Sequence, residues 1–257
     1  MEMGVNYLSD YQTIRSVAKD YNPLDYHRTL CELLNRLYPS DDFLKRPKIE
    51  LHKIINDAIL EFYNGEQSLK YYLFKYFSSK NVVCGFEMKV NKSRVDFLAV
   101  NGKSSSFEIK SGLDNLDKLY KQTSDFVKAF EFNYVVIDEI HLEKALKILP
   151  SSYGIWSFKN GCRKIHRVAI LNKELDCQVQ LELLTQAELK MFFDGNTEVS
   201  QILNSYKSTY INSRFKLILK YRYGKRWEFI VNNREQILPI DVQFFYNKNI
   251  HPSHIYM

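Results

Sequence analysis

The feature that most limits what this chain can fold into is a change of hydrophobic period near residue 82. Upstream, apolar residues recur at helical spacing in "YQTIRSVAKDY", "LDYHRTLCELLNRLY", "LHKIINDAILEFY" and "EQSLKYYLFKYF", punctuated by Pro23, Pro39, Pro47 and a helix stop at Asn64-Gly65. Downstream, "VVCGFEMKV" (82–90), "RVDFLAV" (94–100) and "SSFEIKS" (105–111) alternate with a period of two. Asn-Gly in the second connection is a strong hairpin signal, so an antiparallel meander is expected. Helical spacing returns in "LDNLDKLYKQTSDFVKAFEF", and "YVVID" (134–138) reads as a buried strand reached by a crossover. A helix in "HLEKALKIL", a hairpin around "NGC" near the sheet edge, and helices from about residue 183 complete the pattern.

The order helix, three strands, helix, strand makes this an α/β chain with a mixed sheet of the α+β kind. Three segments follow: an N-terminal helical segment (1–59), a core (60–182) and a basic, mainly helical C-terminal extension (183–257). With 257 residues, 45% of them hydrophobic and 17 Phe plus 18 Tyr, the chain can bury a substantial core. Cys31, Cys84, Cys162 and Cys177 show no metal-ligand spacing and read as free thiols. The start "MEMGVNYLSDYQTIRS" lacks a signal-peptide pattern and no apolar run is long enough to span a bilayer, so a cytoplasmic protein with no membrane contact is expected. The six histidines form no HxH or HExxH pattern, and no phosphate-cradling glycine loop occurs.

The meander carries three charged residues that need explaining. Side chains alternate across a strand, so Glu108 and Lys110 share a face, and parity puts Asp96 with them while Phe97, Phe107 and Ile109 take the other. Two carboxylates set side by side are unfavourable unless a cation lies between them. Mg²⁺ or Mn²⁺ suits such hard oxygen ligands, and a neighbouring lysine can orient or deprotonate an attacking water. The pattern fits hydrolysis of a phosphodiester.

The string "RVDFLAVNG…SFEIKSG…LDKLYKQTSDF…NYVVID" resembles the PD-(D/E)XK nuclease superfamily, and more closely a small bacterial family of hypothetical nucleases within it. The resemblance spans roughly residues 60–160 and implies a restriction-endonuclease-like αβββαβ core. It assigns Asp96, Glu108 and Lys110 to catalysis, with Gln122 of the following helix as a fourth member. The implied metal ligands are Asp96, Glu108, the backbone carbonyl of Ile109, and a further glutamate, either Glu66 or Glu87. No proline precedes Asp96, a departure usual in this branch. Phage defence or mobile-element DNA processing is the setting the resemblance implies.

Residues 201–257 carry nine Lys/Arg against three acids, which equals the +6 of the whole chain. Within them "RFKLILKYRYGKRWEF" interleaves cations with aromatics, as nucleic-acid surfaces do. Arg222, Lys225 and Arg226 there, and Lys92, Arg94, Ser111, Lys118 and Lys121 around the charged hollow, are the candidate nucleic-acid contacts. DNA is the expected partner, RNA stays open, and either a homodimer or a partner protein of a bacterial defence system is expected beside it. The rival from another class is a non-catalytic nuclease-like module that binds DNA or protein.

Overall fold

The computed structural model describes residues 11–63, 65–159 and 161–257; the N-terminal leader reading, Asn64 of the helix stop and Asn160 of the second hairpin lie outside the described residues. Four helices come first: α1 (Tyr11–Asp20), α2 (His27–Leu37), α3 (Lys48–Phe62) and α4 (Glu66–Ser78). Strands β1 (Val83–Val90), β2 (Ser93–Asn101) and β3 (Lys103–Lys110) precede α5 (Leu119–Phe126), β4 (Phe132–Ile137), a 3-10 turn (Glu139–His141) and α6 (Leu142–Ile148). The hairpin β5 (Gly154–Lys159) and β6 (Cys162–Arg167) is followed by α7 (Cys177–Glu182), α8 (Gln186–Phe192), α9 (Val199–Ser205) and the long α10 (Ser208–Asn232). Helices α11 (Val242–Lys248) and α12 (Ser253–Tyr256) come last. The α–β–β–β–α–β order holds, and no helix among the described residues is long and apolar enough to cross a membrane.

The chain divides into two compact units, with divisions at 71/72 and 228/229. In the first unit, residues up to Tyr71 join Phe229–Met257. Its apolar core comes from Ile14, Leu30, Leu34, Leu51, Ile55 and Ile59, all fully buried. Pro47, which lacks an N–H to lose, stands just before α3. A buried polar knot ties the two chain ends together. Asp241 Oδ2 accepts from Tyr256 Oη at 2.7 Å and Tyr21 Oη at 3.0 Å, and Tyr21 Oη lies 2.8 Å from His52 Nδ1. Asn56 adds a donor to Tyr21 Oη at 3.0 Å and accepts from Ile240 N at 2.8 Å. Burial, against the pull of those hydrogen bonds, raises the Asp241 carboxyl from 3.8 to about 7. Burial, with the Lys48 charge second, lowers His52 from 6.5 to about 4.

The second unit, Tyr72–Glu228, is built on a six-stranded sheet of order β1-β2-β3-β4-β5-β6. The meander β1–β2–β3 is antiparallel, β3–β4 and β4–β5 are parallel, and β6 closes the edge as an antiparallel hairpin arm. One face is aromatic: Phe97 meets Phe107 at 5.9 Å, Phe107 stacks on Tyr134 at 4.8 Å, and Tyr134 meets Trp156 at 4.8 Å. Phe77 of α4 covers it. The opposite face buries Val135, Ile137 and Ile155 under Leu119, Ala145 and Leu149. α10 belongs here because its apolar side docks on the sheet: Trp227 packs against Phe74 and Phe97, and Tyr223 covers Gly85, where a Cβ would come within 3.0 Å of the ring. The basic extension is therefore divided between the two units.

α5 is shorter than the helical spacing of 113–132 suggests. The Asp114 carboxylate turns back to Ser111 N and Oγ at 2.7 and 2.6 Å, and Asn115 Oδ1 accepts from Asp117 N at 3.2 Å. Such side-chain bonds compete with helical ones and delay the helix to Leu119.

Candidate functional site

The site begins where two strands part. β2 and β3 pair from Asn101↔Lys103 to Phe97↔Phe107 and no further, while β3 goes on pairing with β4 through Lys110↔Ile137. That leaves the next β3 amide without its β2 partner, and the Asp96 carboxylate takes it: Ile109 N donates to Oδ2 at 2.6 Å. Continuing the register, Asp96 lies across from Glu108 on the face opposite the aromatic layer, whereas Phe97, Phe107 and Ile109 are at most 3% exposed on the other side. Glu108 is buried, and Lys110 Nζ reaches its Oε1 at 2.7 Å.

A third acid joins from β1. The pairs Phe86↔Phe97 and Met88↔Val95 flank Glu87 and set it opposite Asp96, with carboxylate oxygens of the two within 4.8 Å. Glu87 has a φ of 57°, the left-handed region that a residue with a Cβ enters at a cost of about 1 kcal/mol or more. Arg94 Nη1 lies 3.4 Å from its Oε2. Three carboxylates, one ammonium and the Arg94 guanidinium at the edge form an oxygen-rich set with one negative charge in excess. Glu66, the other candidate, belongs to the first unit and pairs with Lys70 at 2.5 Å.

α5 is clamped beside this corner by Asp125, whose carboxylate accepts from Ser93 Oγ at 2.5 Å and from Asn91 Nδ2 at 3.5 Å. Helical periodicity puts Lys118, Lys121 and Gln122 on the stripe that leads to Asp125. Gln122 Oε1 is buried without a hydrogen-bond partner among the described residues. Tyr153, which sequence patterning did not single out, donates to Thr123 O at 2.7 Å from below. Burial and then the Glu108 charge push its hydroxyl well above the ordinary tyrosine range.

Among the expected nucleic-acid contacts, Lys92, Arg94, Lys118, Lys121, Lys225 and Arg226 are exposed. Two others are engaged within the fold. Ser111 is buried, and its hydroxyl is given to Asp114 at 2.6 Å. Arg222 is held by Glu188, Nε to Oε1 at 2.7 Å and Nη2 to Oε2 at 2.5 Å, and also donates to Leu183 O at 3.0 Å. A guanidinium so engaged has no fork to offer a phosphate.

The model of the family described as bacteriophage P4 protein cII matches residues 62–246, a span that includes Glu66, Glu87, Asp96 and Glu108. The chain belongs to that family. It is 27% identical over 150 residues to Protein cII of Enterobacteria phage P4, covering 54% of this chain, and it spans about half (53%) of that relative's length. Among solved structures, a protein of unknown function from Silicibacter pomeroyi aligns with 14% identity and a TM-score of 0.39 over 65% of this chain and 90% of that one.

Proposed function

We propose that this cII-family chain is a divalent-metal-dependent nuclease that hydrolyses phosphodiester bonds in DNA. The observation that carries the reading is the parting of β2 from β3 at Phe97↔Phe107, which leaves Asp96 opposite the buried Glu108 with Lys110 2.7 Å away. The donor set fits Mg²⁺ or Mn²⁺: the ligands are hard carboxylate oxygens, and those of Glu87 and Asp96 lie within 4.8 Å of each other. Asp96, Glu108 and Glu87 would hold the ion, with the Ile109 carbonyl as a backbone ligand. When bound, it supplies Lewis-acid polarisation of the phosphoryl group and a lowered pKa for attacking water.

The chain's own groups do the rest. Lys110 orients the attacking water and balances negative charge that grows on the phosphoryl oxygens beside Glu108. Gln122 offers its side-chain amide to the substrate. The strained backbone at Glu87 keeps its carboxylate turned toward Asp96. A relative from a phage fits a mobile-element setting for this activity.

The test is incubation of full-length protein with supercoiled and linear DNA, and with RNA, in Mg²⁺, Mn²⁺ or EDTA. Nicking or degradation that needs the metal and disappears in Asp96→Ala is the expected result. DNA binding without cleavage in either metal would replace the reading with a non-catalytic module.

A further inference from the structure

The C-terminal segment is not the only strongly basic run in the chain. Residues 144–173 contain seven Lys/Arg and no Asp or Glu, and residues 67–86 contain three lysines and no acid. The sheet brings parts of these two acid-free runs together. Arg163 of β6 lies over Tyr76 of α4 at 4.2 Å and over Trp156 of β5 at 4.5 Å, and Lys80 lies over the same Tyr76 ring at 4.4 Å. Stacking on rings holds these cations in place without neutralising them, and neither makes an ion pair with an acid among the described residues. Lys159, at the end of β5, is exposed. Lys164 is partly offset by Glu139 at 3.0 Å.

The topology decides what this edge can reach. β3, β4 and β5 run parallel, so Lys159, the last residue of β5, lies at the same end of the sheet as Glu108 and Lys110. The pairs Lys110↔Ile137 and Val136↔Trp156 put Ser157 level with Lys110, so β5 overhangs that row by two residues, roughly 7 Å. One strand, β4, lies between β3 and β5, which are two strand spacings or about 10 Å apart. Ligands of open sheets with parallel strands collect at this carboxyl end. Lysine on an edge strand also discourages strand pairing, but that role would not bring Lys80 from a different element to the same ring.

We propose that the β5–β6 hairpin, with Lys80, Lys159 and Arg163 as its phosphate contacts, is the surface on which a nucleic-acid backbone lies as it passes to the acidic corner. The proposal deepens the nuclease reading and rests on it for the substrate, though binding itself needs no catalysis. Strand parity sets Arg163, paired with Phe158, on the aromatic face and Lys159 on the face of Glu108, so a polyanion that meets all three cations crosses the end of the sheet on its way to the corner.

The experiment titrates the full chain in EDTA against a labelled duplex at several salt concentrations. Lys80→Gln/Lys159→Gln/Arg163→Gln is expected to reduce the slope of log affinity against log salt by two to three units, at about 0.9 per contact, for every sequence alike. A control that removes the same charge from exposed lysines of the first unit, Lys19→Gln/Lys45→Gln/Lys53→Gln, is expected to leave the slope as in wild type. An unchanged slope in the hairpin variant, or equal losses in both, overturns the proposal. So does displacement of the duplex by polyglutamate at equal charge, which would make the partner an acidic protein. Should loss of Arg163 stacking unfold the protein, the exposed pair Lys80→Gln/Lys159→Gln is expected to lose about two units, with Arg163→Lys retaining the slope. Cleavage in Mg²⁺ is scored separately. A hairpin-dependent slope without cleavage removes the nuclease reading alone, and cleavage with an unaltered slope removes the interface alone.

Discussion

Two buried glutamates of the same sheet, Glu131 and Glu108, live in opposite company. Glu131, just before β4, is surrounded by donors: Ser104 N at 2.7 Å on Oε2, and Asn212 Nδ2 and Lys216 Nζ, each at 2.9 Å, on Oε1. Burial alone would raise its pKa, yet Lys216, the Ser104 amide and Asn212 hold it below the ordinary value. Glu108 shares its corner with Asp96 and, through Asp96, with Glu87, and Lys110 is the cation beside it. One arrangement is what a fold does to bury a charge safely. The other gathers like charges, which costs stability and is retained where a cation or a substrate is to be bound.

The largest effect should come from breaking the acidic corner. On the proposed reading, Asp96→Ala and Lys110→Ala are each expected to lower metal-dependent cleavage by about a thousandfold, and also to cost about 1–3 kcal/mol in unfolding, since Asp96 takes the Ile109 amide and Lys110 is the cation beside the buried Glu108. Activity that persists in Asp96→Ala or in excess EDTA would locate the chemistry elsewhere. Glu131→Ala should behave in reverse. Loss of its carboxylate strands Lys216 and Asn212, so denaturant unfolding should show a loss of about 3 kcal/mol while specific cleavage by the folded fraction is preserved.

Asp241, in the other unit, is a buried acid of an intermediate kind, and pH separates it from its neighbour His52. Its folded pKa of about 7 lies above the ordinary 3.8, so folding takes up a proton and stability is lost as pH rises from about 4 to 7. His52, at about 4 instead of 6.5, releases a proton on folding, and stability is lost as pH falls from 6.5 to 4. The slopes oppose each other, so wild-type stability should be nearly flat across that window. His52→Gln should unmask the first slope and Asp241→Asn the second, each up to about 1.4 kcal/mol per pH unit in urea unfolding. Parallel curves for the two variants would mean that neither group titrates as described.

The smallest effects belong to α10. Arg222→Ala should cost about 1–2 kcal/mol, since it deprives Glu188 of both of its guanidinium bonds, whereas Lys225→Ala/Arg226→Ala should alter stability by no more than about 0.5 kcal/mol. Thermal melts of the two variants side by side would distinguish a structural arginine from solvated charge.

Local period alone determined a good part of this protein. The switch from 3.6 to 2 near residue 82 gave the element order, and strand parity put Asp96, Glu108 and Lys110 on one face with Phe97, Phe107 and Ile109 on the other, because alternation is a property of any extended chain. Charge counting found the basic C-terminus but passed over the acid-free run 144–173, a signal equally present in the residues. Other features belong to the tertiary structure. The point where β2 leaves β3 and the left-handed backbone at Glu87 leave no mark on the period, and the capture of Arg222 by Glu188 and the docking of α10 on Gly85 and Phe97 join residues far apart in the chain. Pairing over such distances depends on which surfaces meet when the layers pack, and no local period records that.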